Sequence, residues 1–409
     1  MIRQMRIAVI GQGYVGLTIT IGALNAGHDV LGIDTSQRLV TDLQAGKSHI
    51  EGITNAEVEA GISSGRYKVT TEYQEANEYE VIVIAVPTPL GENGNPDLSI
   101  LLRAAESLGN SLKSRKLIIN ESTSHPGTLR ELIKPIIEHG SPLDHLYAIS
   151  PERVDPGNEK FNTRNTPRVV GGLSQEARDQ AINFYKSFCD YVIPVSSAEV
   201  AEAAKIFENT FRFINIGLVN EFAQIMLAMG IPVNEVLEAA NSKPYGFMKF
   251  HPNVGIGGHC IPVDPIYLQA SAEKIGLSSR FIDLSEEMNQ RMPEFVVENL
   301  AKRVGGLMGK RIQVIGVSYK PNIADTRETP ASKVLDLLRK EGAQVSWHDP
   351  LILSWNGESS TPIDKKADVG LVLAAHKNLN LSDWGSAPIF SVNEHYEYPN
   401  WIALLNPEK

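Results

Sequence analysis

Through the first half of the chain, short apolar runs bounded by glycine, proline or an acid alternate with longer amphipathic stretches. Arg6–Ile10 is a β-rich run closed by Gly11-Gln12-Gly13-Tyr14-Val15-Gly16. Helical spacing follows over Leu17–Asn25, Gly27 stops it, and Asp29–Ile33 forms a second run ending in Asp34. Further apolar runs at Val81–Val86, Lys116–Asn120 and Leu146–Ser150 are separated by helical patterns at Leu98–Ser111 and Thr128–Glu138. Strands alternating with helices predict a parallel sheet covered on both faces.

From about Ser197 the pattern changes. Ala198–Met229 carries apolar residues at helical spacing with no breaker beyond Gly217, and Gly230-Ile231-Pro232 ends it. A helix that long is shared between domains or paired with a copy of itself, unless it is a simple spacer. The last third then repeats the first, Arg311–Gly316 echoing Arg6–Gly11. A helix over Pro330–Glu341, a Gly342 stop, a strand over Gln344–Trp347 and a terminal Asp349 follow in the same order. The second copy has Val317-Ser-Tyr-Lys320-Pro321 in place of the glycine fingerprint and is read as having lost dinucleotide binding. The expected fold class is α/β, two Rossmann-like doubly wound parallel-sheet domains joined by a long central helix in a helical middle domain. The expected boundaries are 1–197, 198–303 and 304–409.

Composition narrows the function. A chain of 409 residues exceeds one small core. Its net charge of −10, from 38 basic against 48 acidic residues, argues against broad nucleic-acid or membrane-surface binding. Two cysteines, Cys189 and Cys260, give no disulfide framework, and the ten histidines show no ligand-like spacing, so no metal is expected. The apolar stretch Val9–Leu24 is cut by Gly11, Gly13, Gly16 and Gly22 and reads as strand–turn–helix, so no leader or membrane span is expected and the cytosol is the expected compartment.

The glycine cluster lies between a strand and a helix, with Asp34 18 positions after Gly16. That spacing is close to the roughly 20 residues of a dinucleotide fingerprint. Absent side chains let the backbone approach a pyrophosphate at a helix N-terminus. Asp34 can accept from ribose hydroxyls and repel a 2′-phosphate, so the expected cofactor is NAD rather than NADP. Val86-Pro87-Thr88-Pro89 ends another strand, and is either a ligand edge or a rigid turn. Asn120-Glu121-Ser122-Thr123 ends a third, where Thr123 either reaches the nicotinamide or a water, or caps the segment.

Gly255-Ile-Gly257-Gly258-His259-Cys260-Ile-Pro262-Val263-Asp264-Pro265 is the most informative segment. Glycines and prolines around Cys260 bury little apolar area, which argues against an inert core thiol. A cysteine beside a nicotinamide suggests two successive oxidations: alcohol to aldehyde, thiolate addition, a second hydride loss to a thioester, then hydrolysis. On the long helix, Lys205, Asn209 and Arg212 share one face. Lys205 and Asn209 could stabilise an oxyanion, each such donor contributing about 2.7–4 kcal/mol. A two-electron hydroxyacid dehydrogenase and a non-catalytic NAD or nucleotide-sugar binder are the competing readings; the first leaves Cys260 unexplained.

Taken together these segments, with Ser150-Pro-Glu-Arg153, Lys320 and Asp325-Thr-Arg327, resemble the UDP-glucose/GDP-mannose dehydrogenase family over nearly the whole chain. The resemblance implies that Cys260 is the nucleophile, that Lys205 and Asn209 hold the oxyanion, and that Asp264, Thr123 and Glu152 position or activate the hydrolytic water. It implies cofactor contacts at Gly11, Gly13, Tyr14, Val15, Gly16, Asp34, Arg38, Pro87, Thr88, Thr123 and Arg327. It places substrate contacts at Glu152, Arg153, Lys205, Asn209, Arg212, Phe250, His251, Asn253, Gly257 and Lys320, with a UDP-sugar as the partner molecule. It also implies a homodimer through the long helix. Val263 stands where members acting on UDP-glucose carry lysine, and with His259 resembles the branch acting on N-acetylated UDP-hexosamines. Lys243-Pro-Tyr-Gly-Phe-Met248 and Ser150-Pro-Glu-Arg-Val-Asp-Pro-Gly157 point to UDP-N-acetylglucosamine, oxidised at C6, with UDP-N-acetylmannosamine next. Asn253-Val254 departs from the Gly-Pro frequent in that branch.

Overall fold

A computed structural model of the chain describes residues 3–155, 157–158, 160–392 and 400–407. The chain divides into two compact units. One holds the residues up to Glu208 together with Ile266–Leu277, and the other holds Asn209–Pro265 and the chain from Ser278 onward. The segment 198–303 therefore contributes to both.

The first unit is built on β1 (Arg6–Ile10), β2 (Asp29–Ile33), β3 (Tyr67–Thr70), β4 (Val81–Ile84), β5 (Leu117–Asn120), β6 (Leu146–Ile149), β7 (Arg168–Gly172) and β8 (Val192–Pro194). Their order in the sheet is β3-β2-β1-β4-β5-β6-β7-β8. Alternate side chains along each strand point to opposite faces. Ile7, Val9, Val83 and Ile119 pack with Leu17, Ala181 and Phe184 on one face. Ala8, Ile10, Ile82 and Ile118 pack with Leu101, Ala105 and Leu108 on the other. Burial on both faces explains why these strands read as unbroken apolar runs. Each fully buried Val, Ile or Leu contributes about 1.5–3 kcal/mol.

Strands β3 to β6 pair in parallel. Strand order reverses between β1 and β4, so the carboxyl ends there open a crevice for a ligand. The departure from an all-parallel sheet is β7, antiparallel to β6 with Ala148 opposite Gly172 and Ile149 opposite Gly171. Continued, that register sets Arg168 opposite Glu152, bringing the start of β7 to the same carboxyl edge.

The second unit carries β9 (Arg311–Ile315), β10 (Gln344–His348), a hairpin of β11 (Ser354–Trp355) and β12 (Glu358–Ser359), β13 (Val369–Val372), β14 (Ile389–Ser391) and β15 (Trp401–Ala403). Its sheet, ordered β10-β9-β13-β14-β15, is parallel throughout. Val314, Leu371 and Trp347 pack with Val334, Leu335 and Leu338 of the helix Ala331–Lys340, and with Met292, Val296 and Leu300. The last three belong to a 25-residue helix, Arg280–Val304, with Pro293 in its interior. Proline costs a helix hydrogen bond, but Ile282, Met292, Val296, Val297 and Leu300 bury one side. Gly305, at φ 70°, ends it.

The central helix runs over Ala198–Ala228. Gly230, at φ 71°, closes it with its N–H donating to the Leu227 carbonyl at 3.1 Å. Among the described residues no helix is long and apolar enough to cross a membrane.

Candidate active site

The fingerprint turn shows why each glycine stands where it does. Gly11 has φ 85°, and a Cβ there would lie 2.4 Å from the Ala85 carbonyl oxygen. A Cβ on Gly16 would lie 1.8 Å from the Gly11 carbonyl oxygen. A Cβ on Gly13 would meet nothing within 4 Å. The first and third glycines close the turn, and the second leaves open room above the helix. Gly13 is the N-cap of Tyr14–Asn25 and supplies no side-chain cap, so the first helical N–H groups, including that of Val15, remain for an anion.

Asp34, half-buried at the end of β2, accepts from the Gln12 N–H at 2.8 Å and the Ser36 N–H at 2.9 Å. Each bond occupies one lone pair of a carboxylate oxygen, leaving capacity for ribose hydroxyls. Arg38 is exposed, 3.9 Å from Asp42. After β4, Pro87 is exposed and Thr88 is buried, its carbonyl accepting from the Tyr267 hydroxyl at 3.2 Å. After β5, Ser122 donates to the Val86 carbonyl at 2.8 Å and accepts the Val86 N–H at 3.0 Å, which fixes half-buried Thr123 beside the β4 end. An open glycine, uncapped N–H groups and an acceptor at the next strand end fit a dinucleotide.

Glu152, after β6, is buried. Its Oε1 accepts from the Arg153 and Val154 N–H groups at 2.6 and 2.8 Å, and its Oε2 from Arg168 at 2.6 Å. Burial pushes its carboxyl up, but Arg168, the two amides and Lys205 outweigh it and hold the pKa below the usual range. Burial pushes the Tyr14 hydroxyl up to about 12, with the charges of Glu152 and Asp155 adding to it. The fold thus brings Tyr14, Glu152 and Lys205 to one edge. Arg153 is committed elsewhere, paired with Glu208 at 2.7 Å and donating to the Pro167 carbonyl at 2.7 Å. Pro156, in the Ser150–Gly157 segment, lies outside the described residues.

In the second unit, Cys260 is exposed, in the turn before the helix Asp264–Lys274; its carbonyl accepts the Asp264 N–H at 2.9 Å. Gly258 has φ 86°, and a Cβ there would lie 2.7 Å from the Tyr319 ring. One on buried Gly257 would lie 2.5 Å from the Glu328 carbonyl oxygen. Asn209 is buried and donates to the Asp264 carboxylate at 2.5 Å. Arg327 is clamped by Asp325 at 2.6 Å, and its charge interacts with Cys260. His259 is pushed below its usual range by burial first and by Arg327 second.

The remaining expected substrate contacts scatter around this loop. Asn253 accepts the Gly255 N–H at 3.0 Å, and its own N–H donates to Asn220 at 2.8 Å, so its polar groups brace the loop. Phe250 packs edge-on to Phe211, ring centroids 6.0 Å apart. His251 and Arg212 are exposed and Lys320 is half-buried.

The sequence repeat has a structural counterpart. The Val317 N–H donates to Asp349 at 2.8 Å, as that of Gln12 does to Asp34. Asp349, however, is buried and taken by His376 at 3.1 Å and by the Leu351 and Ile352 amides. Its acceptor sites are spent inside the fold. Ser318 also lies 3.2 Å from His376 Nε2, but His376 Nδ1 accepts the Asn322 N–H at 2.9 Å. Nε2 then carries the proton, so this trio lacks the free base of a hydrolase triad.

Sequence models of the UDP-glucose/GDP-mannose dehydrogenase family match the chain over its NAD binding domain at residues 5–189, its central domain at 199–291 and its UDP binding domain at 313–390. The chain belongs to this family. The chain is 34% identical over 393 residues to UDP-N-acetyl-D-mannosamine dehydrogenase of Pyrococcus horikoshii, covering 93% of this chain and 92% of the relative. It is also 34% identical over 359 residues to UDP-N-acetyl-D-glucosamine 6-dehydrogenase of Pseudomonas aeruginosa, covering 86% and 84%. The structure of UDP-D-ManNAc dehydrogenase from Pyrococcus horikoshii superposes with a TM-score of 0.88 at 31% identity over 97% of each chain. That of a UDP-glucose dehydrogenase from Pyrobaculum islandicum gives 0.89 at 26% identity, covering 99% and 98%. As a member of the UDP-glucose/GDP-mannose dehydrogenase family, the chain is an oxidoreductase that uses NAD. For such a chain the sequence reading missed Arg168, Tyr185 and Tyr319. An arginine opening the apolar strand Arg168–Gly172 was the available signal for the first.

Proposed function

We propose that the chain is a UDP-N-acetylhexosamine 6-dehydrogenase that takes the C6 hydroxyl to a carboxylate in two oxidations through Cys260. The observation that carries this reading is an exposed thiol on a loop whose glycines are dictated by Tyr319 and Glu328. A two-electron dehydrogenase needs no such thiol.

When bound, NAD⁺ would supply the hydride acceptor, one NAD⁺ for each of the two oxidations. In the first, C6 loses a hydride and its hydroxyl a proton, leaving an aldehyde. The Cys260 thiolate adds to that carbon, and Lys205 and Asn209 hold the oxyanion of the thiohemiacetal. Loss of a second hydride from that oxyanion leaves a thioester. Water adds to the thioester carbonyl and gives a proton to the carboxylates around it. The C–S bond then breaks and the sulfur leaves as thiolate, ready for the next aldehyde. Asp264, Thr123 and Glu152 are assigned to that water. Asp264 is oriented for it by Asn209. Lys320, inside the match of the UDP binding domain, and the Phe250–Gly258 loop of the central domain are assigned to the diphosphate.

Between epimers, the mannosamine form leads, because relatives and a superposed structure bearing that name cover almost the whole chain. The glucosamine form stands second, on a relative of equal identity. Purified protein with NAD⁺ and limiting UDP-sugar should yield about two NADH per sugar with one of the two. Cys260→Ala should yield no uronate; a variant that still makes the acid at a substantial rate refutes the reading.

We also infer a homodimer through the long helix. Val200, Phe207, Phe211, Leu218 and Ile225 are all at least 41% exposed and recur at intervals of seven and four residues. That is the repeat of a helix seam. Leu218→Glu should convert the dimer to monomer in sedimentation.

A further inference from the structure

One buried group has no place in the chemistry so far. The side chain of Glu121 is 0% exposed, two residues before Thr123. Its Oε1 accepts from Arg168 Nη1 at 2.5 Å and from the Tyr185 hydroxyl. Its Oε2 is buried with no hydrogen-bond partner. The other arm of Arg168, 3% exposed, donates to Glu152 at 2.6 Å. The guanidinium stacks on the Tyr185 ring, 4.6 Å from its centroid. Here one cation lies between two carboxylates, away from water. A second buried anion without its own cation neutralises by taking a proton.

The hydrogen bonds decide where that proton sits. Glu152 receives two backbone N–H bonds and the field of Lys205, all of which favour its anion. Glu121 has a bare oxygen instead. Burial pushes its carboxyl up to about 7 against the pull of Arg168, with Glu152 adding to the rise. Cys189, which lies against Arg168 and Tyr185, is pushed up to about 11 by burial and stays a neutral thiol. Tyr14 lies close enough to Glu152 and Asp155 to feel both charges.

We propose that Glu121, Arg168 and Tyr185 are positioning residues for Glu152, and that one proton on or off Glu121 sets how firmly Arg168 binds Glu152 and how readily Glu152 takes a proton from the hydrolytic water. With Glu121 protonated, Arg168 serves Glu152 alone and weakens it as a base. With Glu121 ionised, Arg168 is shared and Glu152 is freed to accept. This inference rests on the proposed thioester route, and it places the effect in hydrolysis, not in the hydride steps.

Two measurements test it together. Infrared difference spectra of substrate-free protein follow a protonated carboxyl through neutral pH. Stopped-flow NADH traces with UDP-sugar and NAD⁺ separate the burst that forms the thioester from the slower turnover that follows. The wild-type protein should show a carboxylic-acid band that vanishes through neutrality, and a steady rate that rises over the same range by up to about tenfold, one unit of Glu152 basicity. Glu121→Gln should lose the band, keep the burst, and hold the steady rate at its low-pH value. Tyr185→Phe removes a donor to the Glu121 anion and should move both transitions to higher pH; it carries the test alone if Glu121→Gln does not fold. No titrating band, or an unchanged rate profile in both variants, overturns the proposal. A normal band in a wild-type protein that makes no NADH removes the role in hydrolysis while locating the error in the proposed function.

Discussion

Alanine at Gly13 and at Gly16 should separate cofactor binding from folding, three residues apart on one turn. At Gly16 the new Cβ would lie 1.8 Å from the Gly11 carbonyl oxygen and 2.9 Å from its carbon. Both are backbone atoms, so no rotamer relieves the clash and the turn must open. Overpacking of this kind costs about 1–3 kcal/mol, and a backbone clash lies at the upper end or beyond. At Gly13 the Cβ has open space and φ is −68°, allowed for any residue. Loss of glycine from the unfolded chain stabilises by about 0.4–1 kcal/mol, which offsets the poorer N-cap. Folding of Gly13→Ala is thus near neutral. Its methyl, however, projects over the uncapped helix N-terminus. Displacing a pyrophosphate from one charge-assisted N–H bond costs about 1.5–3 kcal/mol, roughly 10- to 150-fold in affinity. Thermal unfolding and calorimetric titration with NAD⁺ read the two effects independently. If Gly13→Ala binds NAD⁺ like the wild type, or Gly16→Ala melts like it, the assignment of the turn is wrong.

Other perturbations follow from single contacts. Asn209→Leu removes the amide 2.5 Å from buried Asp264; we expect about 1–3 kcal/mol lower stability by denaturant unfolding, together with slower turnover. Gly258→Ala faces both φ 86° and the Tyr319 ring at 2.7 Å, so Cys260 should shift; thiol-labelling rate and turnover should both change, and paired unchanged values would refute the tight-loop argument. Burial raises the Asp349 carboxyl, but His376 and the Leu351 and Val317 amides outweigh it and depress the pKa to about 2. A depressed acid stabilises above its unfolded value and loses that contribution as pH falls, here between about pH 4 and pH 2. Asp349→Asn should therefore cost about 2 kcal/mol at neutral pH and flatten acid unfolding over that window.

Much of this molecule was written in local pattern. Arg6–Ile10 and Asp29–Ile33 coincide with β1 and β2, because strands buried on both faces must be apolar throughout. The long helix ends one residue short of the expected position, because glycine followed by proline stops a helix whatever packs against it. The helix Arg280–Val304 was not read, since its interior proline argues for a break. Only the core contacts of Met292, Val296 and Leu300 outweigh that local preference. At the site, the fingerprint and the Cys260 loop were legible because glycine is required wherever backbone closes on backbone or on a ring. Arg168 was not. An arginine opening the apolar run Val169, Val170, Gly171 and Gly172 is conspicuous, but the local pattern does not say which groups it meets. Its position comes from the antiparallel strand of the first sheet, which carries it to the edge where Glu121 and Glu152 stand. Periodicity reports which face of an element is buried, whereas strand direction and register are set by pairing between segments far apart in the chain. Sequence therefore determined the two similar α/β folds, the glycine turn after β1 and the glycine loop that carries Cys260, while tertiary structure alone decided that Glu121 and Glu152 meet on Arg168.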